Sequence, residues 1–364
     1  MTFEQYMALC LYHPEHGYYM QGRERTGVKG DYFTSPDLHP IFARLMARQA
    51  VEMWEALGRL PRFAWVEMGP GRGWFARDFL RWVRSAQPEF FQALGYIAIE
   101  PGSHQRALLH ERLTEDGIES KVEILENLEQ IGQQTGCFFS NELVDAFPVS
   151  VVTRMGGRLK EIYVIADGDE LREKVGAISR TEVAAHVARY AKAIEESHRV
   201  EVNLRTAQWV RTIAEKLARG FVVTIDYGDL APNLFTPDRP QGTLMSYRQH
   251  VVREDLYRSP GEQDLTAHVN FSALIDAGRE VGLDLTGFTT QERFLLALGE
   301  ENEFGDLYDP GQNETEQLQA RLKLKRLINP EGMGTIFKVL VQHRGIASPQ
   351  ITGLKYQRQW QTSS

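Results

Sequence analysis

The residues best placed to do chemistry are Val66-Glu67-Met68-Gly69-Pro70-Gly71-Arg72-Gly73. An apolar strand enters this stretch and its glycines permit a tight turn. A helix leaves it with free N–H groups, which admits a nucleotide-like ligand against bare backbone. The spacing does not suit a dinucleotide. Counting from Gly69, the sixth position of a G-x-G-x-x-G fingerprint is Trp74, and a pyrophosphate needs the third glycine there. An acid, Glu67, stands two residues before the first glycine. A sulfonium nucleoside, with a positive sulfur and a positive α-amino group, gains from such an acid. Glu100 closes the next strand, where a carboxylate can accept both hydroxyls of a ribose. Further on, Glu126-Asn127-Leu128 can edge an adenine, Asn127 by its amide and Leu128 by apolar contact.

A second group follows the fourth strand, in Ser140-Asn141-Glu142-Leu143-Val144-Asp145-Ala146-Phe147-Pro148. In open α/β sheets the reactive crevice lies outside the carboxyl ends of the strands. Glu142 and Asp145, three apart, fit one side of a helical turn there. They can orient a cationic acceptor such as a guanidinium through charge-assisted hydrogen bonds, or draw off its proton. The plain alternative is that Asn141 and Asp145 cap a following helix. Asp226-Tyr227-Gly228 ends a fifth strand facing the same crevice, and Gln263–Asn270 brings Asp264 and His268 close, making His268 a candidate active-site group. None of the ten histidines forms H-x-x-x-H or H-E-x-x-H, and Cys10 and Cys137 lie far apart. No metal site is expected. A nucleophile-elbow serine and a Walker lysine are also missing.

These groups need elements to hold them. Apolar positions from Leu38 to Met53 recur at three and four, predicting a helix over 38–57 with Asp37 as its cap. Strands are expected at Phe63–Met68, Tyr96–Ile99, Val122–Leu125 and Cys137–Ser140, with helices at Trp74–Arg84 and 103–114 between them. Such alternation means a doubly wound, mostly parallel sheet with helices on both faces. The period then switches to two over Val149–Val164 around Gly156-Gly157, a β-hairpin. Helical spacing returns over 181–218, Phe221–Ile225 is a fifth strand, and 229–269 reads as loop. Phe271–Val281 (helix), Leu283–Phe288 (strand), Glu314–Leu327 (helix) and Thr335–Val341 (strand) complete the pattern.

Gly30-Asp31-Tyr32-Phe33-Thr34-Ser35-Pro36, the Glu67–Gly73 loop, Asn141–Pro148, Asp226-Tyr227-Gly228, Asp264-Leu265-Thr266 and Asn329–Gly334 occur in this order along nearly the whole chain. Together they resemble the MidA-like family of class I methyltransferases that use S-adenosyl-L-methionine (SAM). The resemblance implies an α/β class I methyltransferase fold, Rossmann-like, with helical and β-hairpin insertions. It implies SAM held by Gly69, Gly71 and Gly73 with Thr34, Ser35 and Pro36 beside the same pocket; Glu67, Glu100, Asn127, Leu128 and Asn141 are expected at the cofactor from their own positions at the strand ends. Mitochondrial relatives are complex I assembly factors that methylate an arginine, so the resemblance implies a protein substrate; Glu142, Asp145 and His268 are expected at the acceptor from their positions alone.

Composition bounds the rest. A net charge of −8 argues against a nucleic-acid coat. No apolar run is long enough to span a membrane, and no leader pattern opens the chain, so a cytoplasmic protein is expected. The expected divisions are residues 1–60 over the cofactor pocket, 61–148 and 219–343 as the two parts of the core, insertions at 149–218 and 291–328, and a frayed tail over 344–364. The 181–218 helices suit a lid or a homodimer face. A SAM-fold assembly protein that binds a partner without turnover is the alternative to an enzyme, and a NAD-dependent oxidoreductase stands third.

Overall fold

Phe63–Met68 is apolar except for Glu67 and buried along its whole length, as a strand covered on both faces must be. In the computed structural model it lies at the centre of a sheet ordered Asp284–Thr290, Phe337–Arg344, Leu217–Asp229, Gln134–Asn141, Phe63–Met68, Leu94–Ile99 and Val122–Leu125. The structure describes residues 1–22, 35–248, 251–253, 255–330 and 332–357. Phe63–Met68 runs parallel to both Leu94–Ile99 and Gln134–Asn141, while Asp284–Thr290 and Phe337–Arg344 are antiparallel to each other. Strand order reverses between Phe63–Met68 and Gln134–Asn141. That switch point opens a crevice at the strands' carboxyl ends, where ligands of such sheets bind. The helix Trp74–Ala86 packs Phe75 and Phe79 on the Trp65 ring, with centroids 6.3 and 4.8 Å away, using the three-and-four spacing of a core-facing stripe.

The chain divides into two units. A sheet unit comprises Thr34–Asn141, Thr212–Asp226 and Gly278–Ser364; a hairpin unit comprises Met1–Phe33, Glu142–Arg211 and Tyr227–Ala277. The linear divisions expected from sequence therefore do not hold. Residues 1–60 are shared between the units, and 227–277 fall outside the sheet unit.

The hairpin unit contains an antiparallel sheet ordered Glu170–Gly176, Arg158–Asp167, Ser150–Met155, Arg199–Val202, and a second one ordered Val251–Arg253, Met245–Arg248, Asp264–Thr266. The helix Phe3–Tyr12 buries Phe3, Met7 and Leu11 in a cluster with Val151, Ile162, Val164 and Leu265. The hairpin around Gly156-Gly157 forms as expected. The uniformly helical 181–218 does not. Between helices at Thr181–Tyr190 and Arg205–Lys216, Val200 and Val202 alternate inward on a strand paired with Ser150–Thr153. The stretch read as loop over 229–269 supplies the second sheet.

Other local readings change as well. Asp37 lies within a short helix, Ser35–Leu38, and the N-cap of Ile41–Ala56 is Pro40. The tail is not frayed as far as Gln357. Ile351 and Leu354 are buried, the Thr352 N–H donates to the Glu52 carboxylate at 2.9 Å, and the Gly353 N–H donates to Gln49 Oε1 at 3.0 Å. These two buried side chains and two backbone hydrogen bonds dock the tail.

Candidate active site

In the sheet unit, strand Phe63–Met68 ends where the Gly69 N–H donates to the Ile99 carbonyl at 2.9 Å. Gly69, Gly71 and Gly73 all have positive φ (76°, 52° and 78°), a conformation open to glycine at no steric cost. A Cβ at Gly73 would strike Leu109, whereas one at Gly71 would meet no atom within 4 Å. Gly73 is thus needed for packing, and Gly71 presents its backbone to open space. Arg112 steadies the loop by donating to the Arg72 carbonyl and by stacking on Trp74, 3.3 Å from the ring centroid.

Glu100 sits where the sequence placed it. Its Oε2 accepts from the Gly71 N–H at 3.1 Å and its Oε1 from the Gly102 N–H at 2.9 Å. It joins the loop to the start of helix Ser103–Glu115. Glu67 is 4% exposed and accepts from the Tyr96 hydroxyl at 2.6 Å. Burial and the Glu100 charge push its carboxyl up to about 8, against the pull of the Tyr96 bond. A ligand cation would reverse part of that rise. Leu128 is buried at the start of a 3-10 turn, and Asn127 is exposed before it. The buried Ser35 hydroxyl donates to Gln291 Oε1 at 3.3 Å, and Pro36 is half-buried beside it. Thr34 lies outside the described residues. Asn141, half-buried, is the last residue of its strand.

The second stretch of the hairpin unit opens with Glu142, whose φ of 53° is unusual for a residue with a side chain. Strain of this kind is concentrated at functional sites. No helix follows. The Phe147 N–H closes a turn on the Val144 carbonyl at 3.1 Å, and a strand begins at Ser150, so the expectation of a capped helix falls. Pro148 has no N–H to continue a helix, and Val149 to Val152 favour extension. Asp145 is buried, and its Oδ2 accepts from the Tyr227 hydroxyl. Burial pushes the Asp145 carboxyl up, while the Tyr227 bond pulls it down. His268 stands edge-on to Tyr227, with ring centroids 5.4 Å apart. Asp264 is instead bound by the Tyr19 hydroxyl at 2.7 Å. No group of three or more His, Cys, Asp or Glu among the described residues is arranged to hold a metal.

Residues 45–289 match the family model described as "Putative S-adenosyl-L-methionine-dependent methyltransferase". The chain belongs to this family, the MidA-like methyltransferases. A solved chain from Burkholderia thailandensis bound to S-adenosyl-homocysteine is 31% identical, with a TM-score of 0.89 over 98% of this chain and 91% of that one. The human mitochondrial protein arginine methyltransferase NDUFAF7 is 26% identical, the match covering 98% of this chain and 82% of that protein. The Drosophila melanogaster homolog is 27% identical over 95% and 82%. This MidA-like protein is therefore a class I SAM-dependent methyltransferase, and SAM is its cofactor.

The expectation of a cytoplasmic protein is corrected, because the curated relatives are mitochondrial proteins. No described helix is long and apolar enough to cross a membrane. Sequence reasoning missed Tyr96 as the partner of Glu67 and Tyr227 as the partner of Asp145. Period-two alternation puts Tyr96 inward from the neighbouring strand, a signal that was available. Nothing local to Asp145 announced a tyrosine 82 residues away.

Proposed function

We propose that this methyltransferase modifies an arginine side chain of a protein, and that Glu142 and Asp145 receive the guanidinium. The observation that carries this reading is the turn beginning at Glu142, one peptide bond after a sheet strand, with a strained acid followed by a buried one. The relatives' activity, protein arginine methylation by name, supports the same acceptor. SAM, when bound, supplies a methyl group already activated by its sulfonium, so the remaining task is positioning and proton removal. Glu100 would take the ribose hydroxyls, Glu67 the positive end of the cofactor, and Asn127 and Leu128 the adenine. Gly69, Gly71 and Gly73 would give backbone contact, with Thr34, Ser35, Pro36 and Asn141 completing the pocket. Glu142 and Asp145 would hold the guanidinium by charge-assisted hydrogen bonds. An ionised Asp145 can take the departing proton, and His268, edge-on to Tyr227, stands at the same turn.

The test replaces both acids by amides, Glu142→Gln with Asp145→Asn, and follows labelled methyl transfer from SAM into the proteins of a cell extract. Transfer should vanish while the calorimetric affinity for S-adenosyl-homocysteine stays within a few-fold. Undiminished transfer removes these residues from the acceptor role.

A further inference from the structure

Asp145 is fixed by three separate elements of the hairpin unit. Its own carbonyl accepts from the Ala267 N–H at 3.0 Å. The next carbonyl, of Ala146, accepts from the Tyr12 hydroxyl at 3.0 Å. Its carboxylate accepts from Tyr227. The placement of Tyr227 is also built into the backbone. A Cβ on Gly228 would lie 2.1 Å from the Val269 carbonyl oxygen, so only glycine lets the strand Val269–Asn270 pair there. That pairing sets His268, whose backbone N–H donates to Thr243 Oγ1 at 3.1 Å, against the Tyr227 ring.

Resting on the arginine reading above, we propose that Tyr227 is the positioning residue of the acceptor site, orienting the Asp145 carboxylate and keeping it ionised. A phenol hydrogen bond to one carboxylate oxygen stabilises the charged form and fixes the rotation of the group. Backbone N–H groups of Asp145 and Ala146 also bond the carboxylate, and Tyr227 adds the side-chain donor that sets its rotation. Its effect acts against burial, which favours the neutral acid and would leave Asp145 unable to accept a guanidinium proton. The other titratable groups nearby are Glu142 on the same turn, His268 beside Tyr227, Tyr12 below the turn, and Tyr247. Burial, and after it the charges of Asp145 and Asp264, raise the Tyr247 pKa. Tyr247 and Asp264 face each other across two paired strands. Of these, Tyr227 is the group bonded to the carboxylate in question.

The experiment is a carboxyl carbon-13 NMR titration of the full-length protein, with Asp145→Asn identifying the Asp145 signal. Removing the hydroxyl in Tyr227→Phe should raise the Asp145 midpoint by about one to two pH units, from the strength of a hydrogen bond to a charged group. The acid limb of labelled-methyl transfer should move with it, whereas a merely structural loss would lower transfer equally at all pH. Tyr12→Phe, which frees a backbone carbonyl instead, should leave the midpoint in place. If Tyr227→Phe does not fold, 3-fluorotyrosine at 227 is a stronger donor and must lower the midpoint. An unmoved midpoint overturns the inference and leaves the arginine reading standing. Wild-type transfer by Asp145→Asn overturns the acceptor role and the inference with it.

Discussion

Gly71 and Gly73 share one backbone conformation but face different surroundings, so alanine at each should fail differently. In Gly71→Ala the new methyl meets no protein atom within 4 Å. Only the left-handed conformation penalises it, by about 1 kcal/mol, or roughly 2–4 °C in melting temperature. On the proposed placement of the nucleoside the methyl intrudes on it, and calorimetry should show S-adenosyl-homocysteine binding weakened about tenfold or more, some 1.4 kcal/mol. In Gly73→Ala the methyl lies 2.2 Å from Leu109 Cδ1 and 3.4 Å from its Cα. Leu109 is fully buried and cannot swing into solvent. Strain and overpacking together should take about 2–5 kcal/mol from stability. The contrast between the two profiles is the result to look for. Wild-type affinity in a folded Gly71→Ala protein would refute the view that the loop presents its backbone to the cofactor at that residue.

Two more outcomes follow from residues of the sheet unit. Glu67 has a folded pKa of about 8 against an ordinary 4.5, so the native state holds a proton that the unfolded chain releases between those values. Stability must then fall as pH rises through that window, with the whole loss present above about 8. Urea titrations at pH 5, 7 and 9 should show this slope in the wild type and a flatter one in Glu67→Gln, and parallel slopes would contradict it. Removing residues 351–357 withdraws Ile351 and Leu354 from burial and should cost about 3–6 kcal/mol. An unchanged melting temperature would show that the segment contributes nothing.

Much of the sheet unit could be read from periodicity. The strand Phe63–Met68 and the helix start at Trp74 fall where expected, because continuous apolar runs and the Gly69–Gly73 turn are local signals. Glu100 was legible for the same reason, since strand ends are set by where the apolar run stops. The hairpin unit was harder. Arg199–Val202 has only two inward valines, and its charged neighbours match a helical face as well as an edge strand. Long-range partners were not readable: the hydrogen bond that defines Asp145 joins residues 82 apart, and that of Asp264 joins residues 245 apart. The tail misled because two buried side chains among polar ones leave no periodicity.

Both units are assembled from stretches that leave the ribosome far apart in time. The sheet-unit helix Ile41–Ala56 waits for Thr352, 300 residues downstream, and Tyr19 waits for Asp264. At about 5–20 residues per second, the first of these waits lasts roughly 15–60 s. During synthesis the nascent protein therefore carries two unfinished cores with apolar faces uncovered.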